Sequence, residues 1–512
     1  MKRKSAPKRN QSKLLVIVLL FAAGITGIYF FIIPLLLSSQ DKLLKQAYLF
    51  EKGTQYEQAY NSFKNVWKEY LSLGNINKAW EARRGQLRSE RIAAEYPISG
   101  QDLQKLLKDE FPTVPEPQKD NWLNSLEKLQ IDNSPYYYFD VVKNIRFRNP
   151  KLMVDDYVKN AQDPYDPFKT MIIKSLPGLL PYMEDNFVSK AGFEMNQNLS
   201  IPRVDLPKSG VLKVWIPLPI IKEDQPEVKI TVLEPKKYLV QKPNLYADLG
   251  QAYFEIPLTD LQEDVEIQVQ ADFSHFEQNV KVDPENVGKY DTAGDLYKTY
   301  TRSSPSITIT DDIKKTAQAI VGNEKNPYLQ AKKVYEYFMK NIFYSYVPHI
   351  SLGARQYPES IYVYENKYGD CGAQSMLYSA MLRSLGVPAR TTGGYQMFPL
   401  GAGYGGHFWA EFYLPNYGWV PVDVTAADMA DYIVNATDEE KTIIKNYFFG
   451  NMDYFRMNIQ KDVDLKLSPE PNEPPIIPMA IQQPSVECLT CGNDLSLELA
   501  SKYWKINIKQ TN

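Results

Sequence analysis

The stretch KYGDCGAQSMLYSAMLRSLG, residues 367–386, places one of the three cysteines of this 512-residue chain, Cys371, directly after Asp370. Apolar residues then recur at helical spacing, and Gly386 followed by Pro388 is typical of a helix end. Asp370 is therefore predicted to be the N-cap of a helix that has Cys371 in its first turn. Unpaired N–H groups and the positive end of the helix dipole favour a thiolate there, so we expect a lowered pKa for the Cys371 thiol.

A thiolate nucleophile needs a proton acceptor, and the chain has three histidines. His407 lies in GYGGHFWAEFYL, where a glycine-rich loop (401–406) is expected to run into an alternating strand. A second short strand, GWVPVDVT, carries Asp423. Two adjacent antiparallel strands would bring this carboxylate to the imidazole, where it would fix the tautomer and stabilise the imidazolium. The other histidines, His275 and His349, are expected to be surface or packed residues.

These segments also carry a family resemblance. GDCGAQSMLYSAMLRSLGVPARTTGGY and GHFWAEFYLPNYGWVPVDVT resemble the core of the transglutaminase-like superfamily of papain-type cysteine enzymes. The family has a Gly-Asp-Cys helix, a Leu-Gly-Val/Ile-Pro-Ala-Arg turn, a Gly-His-x-Trp-x-Glu strand and a Trp-x-x-x-Asp-x-Thr strand, and all four occur here in order. The resemblance implies that Cys371 is the nucleophile, His407 the general base and acid, and Asp423 the orienting carboxylate.

The resemblance covers about residues 195–460, including FFGNMDYFRM (448–457), which is similar to a segment that often follows the family core. The resemblance does not identify the side chain that stabilises the oxyanion, because this residue varies between branches of the family. Tyr344, Tyr346 and Gln356 are all candidates, beside the backbone N–H of Cys371.

The N-terminus predicts a membrane anchor. Residues 1–13 contain six Lys or Arg and no acid, and residues 14–37 run without a charge. Those 24 residues would form a helix of roughly 36 Å, enough for the hydrocarbon layer of about 30 Å. The apolar run is longer than that of a cleavable signal and lacks an Ala-x-Ala-like end. Because basic flanks stay in the cytoplasm, we expect a single-pass protein of the cell membrane with residues 38–512 outside the cytoplasm.

The chain is long enough for several modules. Helical periodicity predicts a stalk that resembles a degenerate tetratricopeptide hairpin, a possible docking surface for a protein partner, although a simple helical stalk explains it better. Alternating strands predict a β-sandwich, and Thr310 and Asn326 are expected to cap later helices. The predicted segments are a basic tail (1–13), a transmembrane helix (14–37), the stalk (38–95), a mixed helical and linker region (96–194), the sandwich (195–280), the transglutaminase-like core (290–430) and a C-terminal extension (431–512).

Cys488 and Cys491 form a Cys-Leu-Thr-Cys motif. In an oxidising space they could close a small disulfide, and no second CxxC or histidine pair completes a zinc site. We therefore expect a disulfide or plain thiols, and neither a metal nor a cofactor. Cys371 is then the odd cysteine, which makes it a reactive-thiol candidate. A net charge of −3, with acids interspersed among the basic residues beyond the anchor, gives no case for nucleic acid binding.

The predicted architecture is multidomain: an α+β papain-like transglutaminase core preceded by an antiparallel β-sandwich, an α-helical stalk and an N-terminal transmembrane helix. The resemblance implies a cysteine enzyme that attacks a peptide or glutamine-type amide, forms a thioester and passes the acyl group to water or an amine. Surface proteins or cell-envelope peptides suit the expected location as substrates. The alternative is a non-catalytic scaffold whose stalk binds a protein partner; the presence of Cys371, His407 and Asp423 weighs against it.

Overall fold

The computed structural model describes residues 33–175, 187–259, 261–399 and 403–511. The predicted basic tail, and the predicted transmembrane helix up to residue 32, lie outside these ranges. None of the helices within the described ranges combines the length and apolarity that a membrane crossing requires. The first described helix runs from Ile33 to Lys52, so the predicted border at residue 38 falls inside one helix.

The chain divides into two compact units, one reaching Glu90 and including Ile131–Asn133, the other formed by Arg91–Gln130 and Ser134–Asn512. The α-helices of the described residues are α1 (Ile33–Lys52), α2 (Tyr56–Ser72), α3 (Ile76–Glu95), α4 (Gly100–Glu110), α5 (Glu116–Ser125), α6 (Val141–Phe147), α7 (Pro150–Lys159), α8 (Asp166–Thr170), α9 (Asp295–Tyr300), α10 (Asp311–Val321), α11 (Pro327–Asn341), α12 (His349–Arg355), α13 (Glu359–Asn366), α14 (Cys371–Ser384), α15 (Val424–Asp428), α16 (Asp438–Tyr447) and α17 (Leu495–Glu498). The strands are β1 (Ile98–Ser99), β2 (Lys128–Ile131), β3 (Ser134–Tyr137), β4 (Phe187–Ile201), β5 (Val211–Pro217), β6 (Glu227–Glu234), β7 (Gln251–Pro257), β8 (Val265–Asn279), β9 (Phe343–Tyr344), β10 (Tyr368–Gly369), β11 (Ala389–Phe398), β12 (Gly403–Leu414), β13 (Gly418–Val422), β14 (Asn451–Met452), β15 (Arg456–Gln460), β16 (Ser485–Glu487) and β17 (Trp504–Gln510).

The first unit is helical, as the period of its apolar residues predicts. In α2 the residues Ala59, Phe63 and Tyr70 are completely buried. The hydroxyl of Tyr70 donates to Asp41 on α1 at 2.7 Å, and a Cβ added at Gly85 on α3 would lie 2.5 Å from the Phe63 ring. Small residues facing large rings therefore set the helix packing. The tetratricopeptide assignment stays a prediction.

Antiparallel strands build the sandwich. One sheet has the order β14–β8–β4–β17, with β6 also paired to β8, and the other has the order β16–β5–β7. Burial alternates along β8, where Val265, Ile267, Val269, Ala271 and Phe273 all face the core, and this confirms the face expected from the alternation. The first sandwich strand begins at Phe187, earlier than the predicted start at residue 195.

The predicted C-terminal extension, residues 431–512, pairs with both the sandwich and the core. Its strand β15 joins the core sheet, whereas β16 pairs with β5 and β17 pairs with β4 of the sandwich. The disulfide between Cys488 and Cys491 closes the turn after β16. Sequence patterning shows that a strand exists but not its distant partner, because pairing is decided by packing between segments far apart in the chain.

The core packs helix α14 against a four-stranded antiparallel sheet of order β13–β12–β11–β15. The predicted caps are confirmed, since Thr310, Asn326 and Asp370 each accept a hydrogen bond from a backbone N–H in the first turn of α10, α11 and α14. Strand β12 already begins at Gly403, so the part of the predicted glycine-rich loop that is described is strand. Residues 401 and 402 lie outside the described ranges.

Strands β11 and β15 approach each other closely at Gly394. A Cβ added there would lie 1.9 Å from the carbonyl oxygen of Met457. We expect the Gly394→Ala variant to lose about 1–3 kcal/mol of unfolding free energy in urea titrations, because the strands must move apart. The matched control is Gly405→Ala on the neighbouring strand, where the added Cβ meets nothing within 4 Å. Equal losses for the two variants would contradict the close approach.

Candidate functional site

The sulfur of Cys371 lies where α14 meets β12. Cys371 is the first residue of the helix, and the backbone N–H groups of Phe408 and Gly372 hydrogen-bond towards its sulfur. A Cβ added at Gly372 would lie 3.6 Å from the ring of Phe408, so the helix start and the strand touch. Because Phe408 directly follows His407, this contact brings the thiol to the strand of the histidine.

His407 and Asp423 are joined by the β12–β13 hairpin. Ala410 pairs with Val422 in that hairpin, and Asp423 follows at the end of β13. The His407 Nε2 to Asp423 Oδ2 distance is 2.7 Å, and both residues are buried. The sequence predicts that two adjacent strands bring Asp423 within reach of the His407 imidazole, and the structure has this arrangement. Because Nε2 of His407 is hydrogen-bonded to Asp423, the other ring nitrogen, Nδ1, is the one that can exchange a proton with the Cys371 thiol.

The Asp423 carboxylate is held from several directions. Its Oδ1 accepts the backbone N–H of Thr425 at 3.2 Å and that of Ala426 at 2.8 Å, so it is also the N-cap of α15. Its Oδ2 accepts Nη1 of Arg456 at 2.6 Å in addition to the histidine. Burial alone would disfavour the carboxylate, but the His407 and Arg456 charges outweigh burial and hold the pKa of Asp423 below its usual range.

Arg456 is the residue of this site that the sequence interpretation missed. It is fully buried on β15 and its Nη2 donates to Asp453 at 2.8 Å, so one guanidinium holds two carboxylates. The segment FFGNMDYFRM, which contains Arg456, resembles a family segment, but nothing local assigns its arginine to Asp423. Only the pairing of β15 with β11 brings this side chain to the site.

The expectation of a lowered thiol pKa is wrong. Burial raises the pKa of the Cys371 thiol and the adjacent Asp370 carboxylate raises it further, against the N–H groups of Phe408 and Gly372. The sequence argument considered the helix dipole but not desolvation or the charge of the capping residue. Cys371 therefore rests as a thiol, and its ionisation requires a neighbouring proton acceptor.

His349 takes part in an ion-pair network behind the nucleophile, a role that the sequence did not suggest. Its Nε2 lies 2.7 Å from Oδ2 of Asp370, and its Nδ1 lies 3.5 Å from Oε1 of Glu359. Burial disfavours the imidazolium, yet Asp370 and Glu359 raise the pKa of His349 to about 10. Glu95 accepts the backbone N–H groups of Ile350 and Ser351, and burial raises the pKa of Glu95 to about 7. The cap of α14 is thus fixed by a protonated histidine at neutral pH.

Cys371 and His407 line one cavity of about 160 Å³. Tyr344 and Tyr346, two of the three side chains considered for the oxyanion site, also line it, whereas Gln356 is exposed and does not. The cavity further contains Gln396, from β11. Among the residues that the structure describes, no cluster of three or more His, Cys, Asp or Glu side chains suits a metal ion.

The match to a known family falls on these elements. Residues 314–424 match the model of the transglutaminase-like superfamily. This part of the chain belongs to that superfamily. The transglutaminase-like domain so defined includes Cys371, His407 and Asp423, while Arg456 and the whole of β15 follow the matched range.

Other proteins are similar to this chain over part of its length. A curated protein of Haemophilus influenzae, itself described as uncharacterized, is 26% identical over 318 residues, which are 56% of this chain and 82% of the relative. The crystal structure of a candidate cysteine protease from Cytophaga hutchinsonii is 12% identical, covers 63% of this chain and 89% of its own, and has a TM-score of 0.36. The periplasmic domain of TgpA from Pseudomonas aeruginosa is 13% identical, covers 48% of this chain and 91% of its own, and has a TM-score of 0.26. These similarities are distant and say nothing about the chemistry of the transglutaminase-like domain.

Proposed function

We propose that the transglutaminase-like domain is a cysteine enzyme that breaks peptide or glutamine-type amide bonds and passes the acyl group to water or to an amine. The observation that carries the proposal is the buried pair of His407 and Asp423, 2.7 Å apart, in the wall of the cavity that also contains the Cys371 thiol. A nucleophile, a base and a group that orients the base are the three parts that acyl transfer through a thiol needs.

The resting thiol determines the order of the proton movements. As the Cys371 sulfur attacks the amide carbon, its proton passes to His407, and the carbonyl oxygen becomes an oxyanion beside the backbone N–H groups at the start of α14. The intermediate collapses to a thioester, and the proton on His407 goes to the departing amine. His407 then takes a proton from water or an acceptor amine as this group attacks the thioester carbon. The carbon–sulfur bond breaks, and the proton on His407 returns to the sulfur and restores the Cys371 thiol.

A substrate in the form of a chain suits the surroundings of the site. A second cavity, of about 170 Å³, shares Gly406 with the first and is bordered by Tyr395, residues 475–477, residues 480–485 and Trp504. Gln396 borders the first cavity and Tyr395 the second, so the cavities lie on opposite faces of the sheet and meet at Gly406, where β12 is an edge. A long substrate that passes over this edge would contact both. Proteins of the cell surface or peptides of the cell envelope are therefore the proposed substrates.

The location outside the cytoplasm remains part of the proposal. The disulfide between Cys488 and Cys491 supports it, because disulfides persist in oxidising compartments. The charge-free run of residues 14–37 and the six basic residues before it supply the proposed membrane anchor and its orientation. The helices between this run and Glu95 are the proposed stalk, with a partner protein as its possible ligand.

The raised pKa of the Cys371 thiol is the one observation that favours the alternative, a scaffold without catalysis. The two functions differ in what His407 does to the sulfur. In a scaffold the thiol reacts only as it ionises by itself, at or above its ordinary pKa of about 8.5. In an enzyme the histidine takes the proton and the thiol reacts near neutral pH.

The test measures the reaction of the single free thiol with iodoacetamide from pH 5 to 10, followed by intact-mass analysis, with Cys371→Ser as the blank. We expect rapid labelling at pH 7 that the His407→Gln variant slows by about a hundredfold, the size of a general-base contribution. We also expect acid-quenched mixtures with glutamine-containing peptides to show an acyl adduct on Cys371. A labelling rate that is the same in the His407→Gln variant, together with no adduct, would favour the scaffold.

A further inference from the structure

Aromatic rings form much of the wall of the Cys371 cavity. Phe147, at the end of α6, has its ring centre 4.7 Å from that of Tyr344, 5.4 Å from that of Tyr346 and 5.6 Å from that of Tyr432. Tyr165, just before α8, completes the set. Two of these rings thus come from the region that the sequence assigned to helices and linkers. Phe147 and Tyr165 lie outside the matched family range, whereas Tyr344 and Tyr346 lie inside it.

The helical region is fixed firmly to the domain. The side chain of Asn144 on α6 donates to the carbonyl oxygen of Tyr346 at 3.1 Å and accepts the N–H of the same residue at 2.8 Å. The hydroxyl of Tyr432 donates to the carbonyl oxygen of Phe147 at 3.0 Å. Hydrogen bonds at both ends of the wall therefore hold its rings in place over the cavity.

The cavity offers no partner for a charged group. Apart from Cys371 and His407, its described lining carries no Asp, Glu, Lys, Arg or further His side chain. Burial raises the pKa of Tyr344 and of Tyr432 well above the ordinary value, so these hydroxyls stay neutral. Moving an unpaired ion into such surroundings costs several kcal/mol.

The size of the cavity fits one ring. Its volume is about 160 Å³, and an engineered apolar cavity of about 150 Å³ in another protein binds benzene. A phenyl ring or a branched aliphatic side chain is of this size, whereas a larger ring system would require the aromatic wall to move.

One polar group in the lining lacks a partner. Gln396 is 2% exposed, and its Nε2 makes no hydrogen bond to any described residue. A buried donor left unpaired costs about 1–3 kcal/mol. Its neighbours on the sheet, Gly405 and Arg456, are paired with it only through their backbones. A carbonyl oxygen brought in by a ligand would satisfy this amide.

We propose that the cavity binds the acyl side of the substrate through an uncharged aromatic or branched aliphatic side chain, and that the Gln396 amide donates to a carbonyl oxygen of the bound chain. The aromatic wall supplies the apolar contact, and the absence of a counter-charge excludes acidic and basic side chains. The term acyl side rests on the proposed function, but binding in the pocket can be tested without any substrate turnover.

The test uses four iodoacetyl reagents on the full chain: N-benzyl-iodoacetamide, iodoacetamide, the anion iodoacetate and a trimethylammonioethyl-iodoacetamide. Each alkylates the Cys371 sulfur and releases iodide, and each rate is divided by that of glutathione. We expect the benzyl reagent to react at least about tenfold faster than either charged reagent, the factor that 1.4 kcal/mol gives. Equal normalised rates for all four would overturn the pocket assignment. Because alkylation needs no substrate turnover, a protein without amide-cleaving activity can still show this preference, and an active protein can lack it.

Tyr165 and Tyr157 provide a matched pair of variants. Both are partly buried tyrosines of the same aromatic cluster, and only Tyr165 lines the cavity. Tyr165→Lys places a cation in the wall and is expected to raise the normalised rate of iodoacetate about tenfold, while Tyr157→Lys leaves it unchanged. The same change in both variants, or none in either, would contradict the placement of the wall.

The Gln396→Leu variant tests whether the Gln396 amide donates a hydrogen bond to the ligand. We expect it to slow the benzyl iodoacetamide, which has a carbonyl oxygen, by about three- to tenfold relative to benzyl bromide, which has none, in line with one hydrogen bond. An equal slowing of both reagents would show that Gln396 only supports the fold and would remove it from the proposal.

Discussion

Replacing Asp423 by asparagine is expected to lower kcat for amide cleavage by about 10³–10⁴-fold. The amide has nearly the shape of the carboxylate, and its single oxygen can still accept the backbone N–H groups at the start of α15, while Arg456 keeps its other partner, Asp453. What is lost is the negative charge that stabilises the imidazolium and the acceptor that selects the His407 tautomer. The measurement is kcat on the peptide substrate that gives the Cys371 adduct, with circular dichroism to confirm the fold.

Asp428 offers the matched control for that substitution. It is a buried carboxyl group only five residues further along the chain, and burial raises its pKa well above the usual range, which favours its neutral form. The carboxylate hydrogen-bonded to His407 is that of Asp423, so we expect Asp428→Asn to keep kcat within about threefold of the wild type. An Asp423→Asn enzyme that keeps more than a tenth of wild-type kcat would show that the carboxylate does not orient His407.

Replacing His349 by glutamine is expected to destabilise the protein by about 3–5 kcal/mol at pH 7, because Asp370 and Glu359 then remain as buried carboxylates without a cation. The wild type should also show a characteristic pH dependence. The pKa of His349 is about 10 in the folded protein and about 6.5 in an unfolded chain. This stabilisation is therefore complete below about pH 6.5 and is lost as the pH rises through 10.

Urea unfolding of wild type and His349→Gln at intervals from pH 6 to 10 measures this effect. We expect the difference in unfolding free energy to shrink towards pH 10. Glu95 is the other titrating group of the network, with a pKa of about 7, and it is present in both proteins. Adding Glu359→Gln to the His349→Gln variant should recover part of the loss, since one unpaired charge disappears. A difference that is independent of pH would mean that His349 is uncharged in the folded state.

Local patterns in the sequence were sufficient for the helix of Cys371, its cap and the hairpin of His407 and Asp423. Each depends on residues within about 20 positions of one another, where helical spacing, alternation and capping chemistry act directly. The geometry around Asp423 follows from two consecutive strands, which usually pair with each other. The alternation along β8 likewise predicted its buried face.

The other contacts of the site could not be predicted, because they depend on segments that are far apart in the chain. Arg456 reaches Asp423 only because β15 adds to the edge of β11, and Phe147 reaches the cavity only because Asn144 binds the backbone of Tyr346. The thiol pKa depends on how completely the packed protein removes water, which a sequence pattern does not report. His349 carries no local sign of its ion pairs, because Asp370 lies 21 positions away.

The pairing of β17 with β4, from Trp504 on Leu199 to Gln510 on Phe193, has a consequence for biogenesis. About three hundred residues separate these partners, so the chain has a high contact order and is expected to fold slowly. Until the segment that forms β17 has been synthesised, one edge of β4 has no neighbour and can recruit strands from other chains. Production of this protein is therefore expected to depend on chaperones that shield the edge until β17 has paired with it.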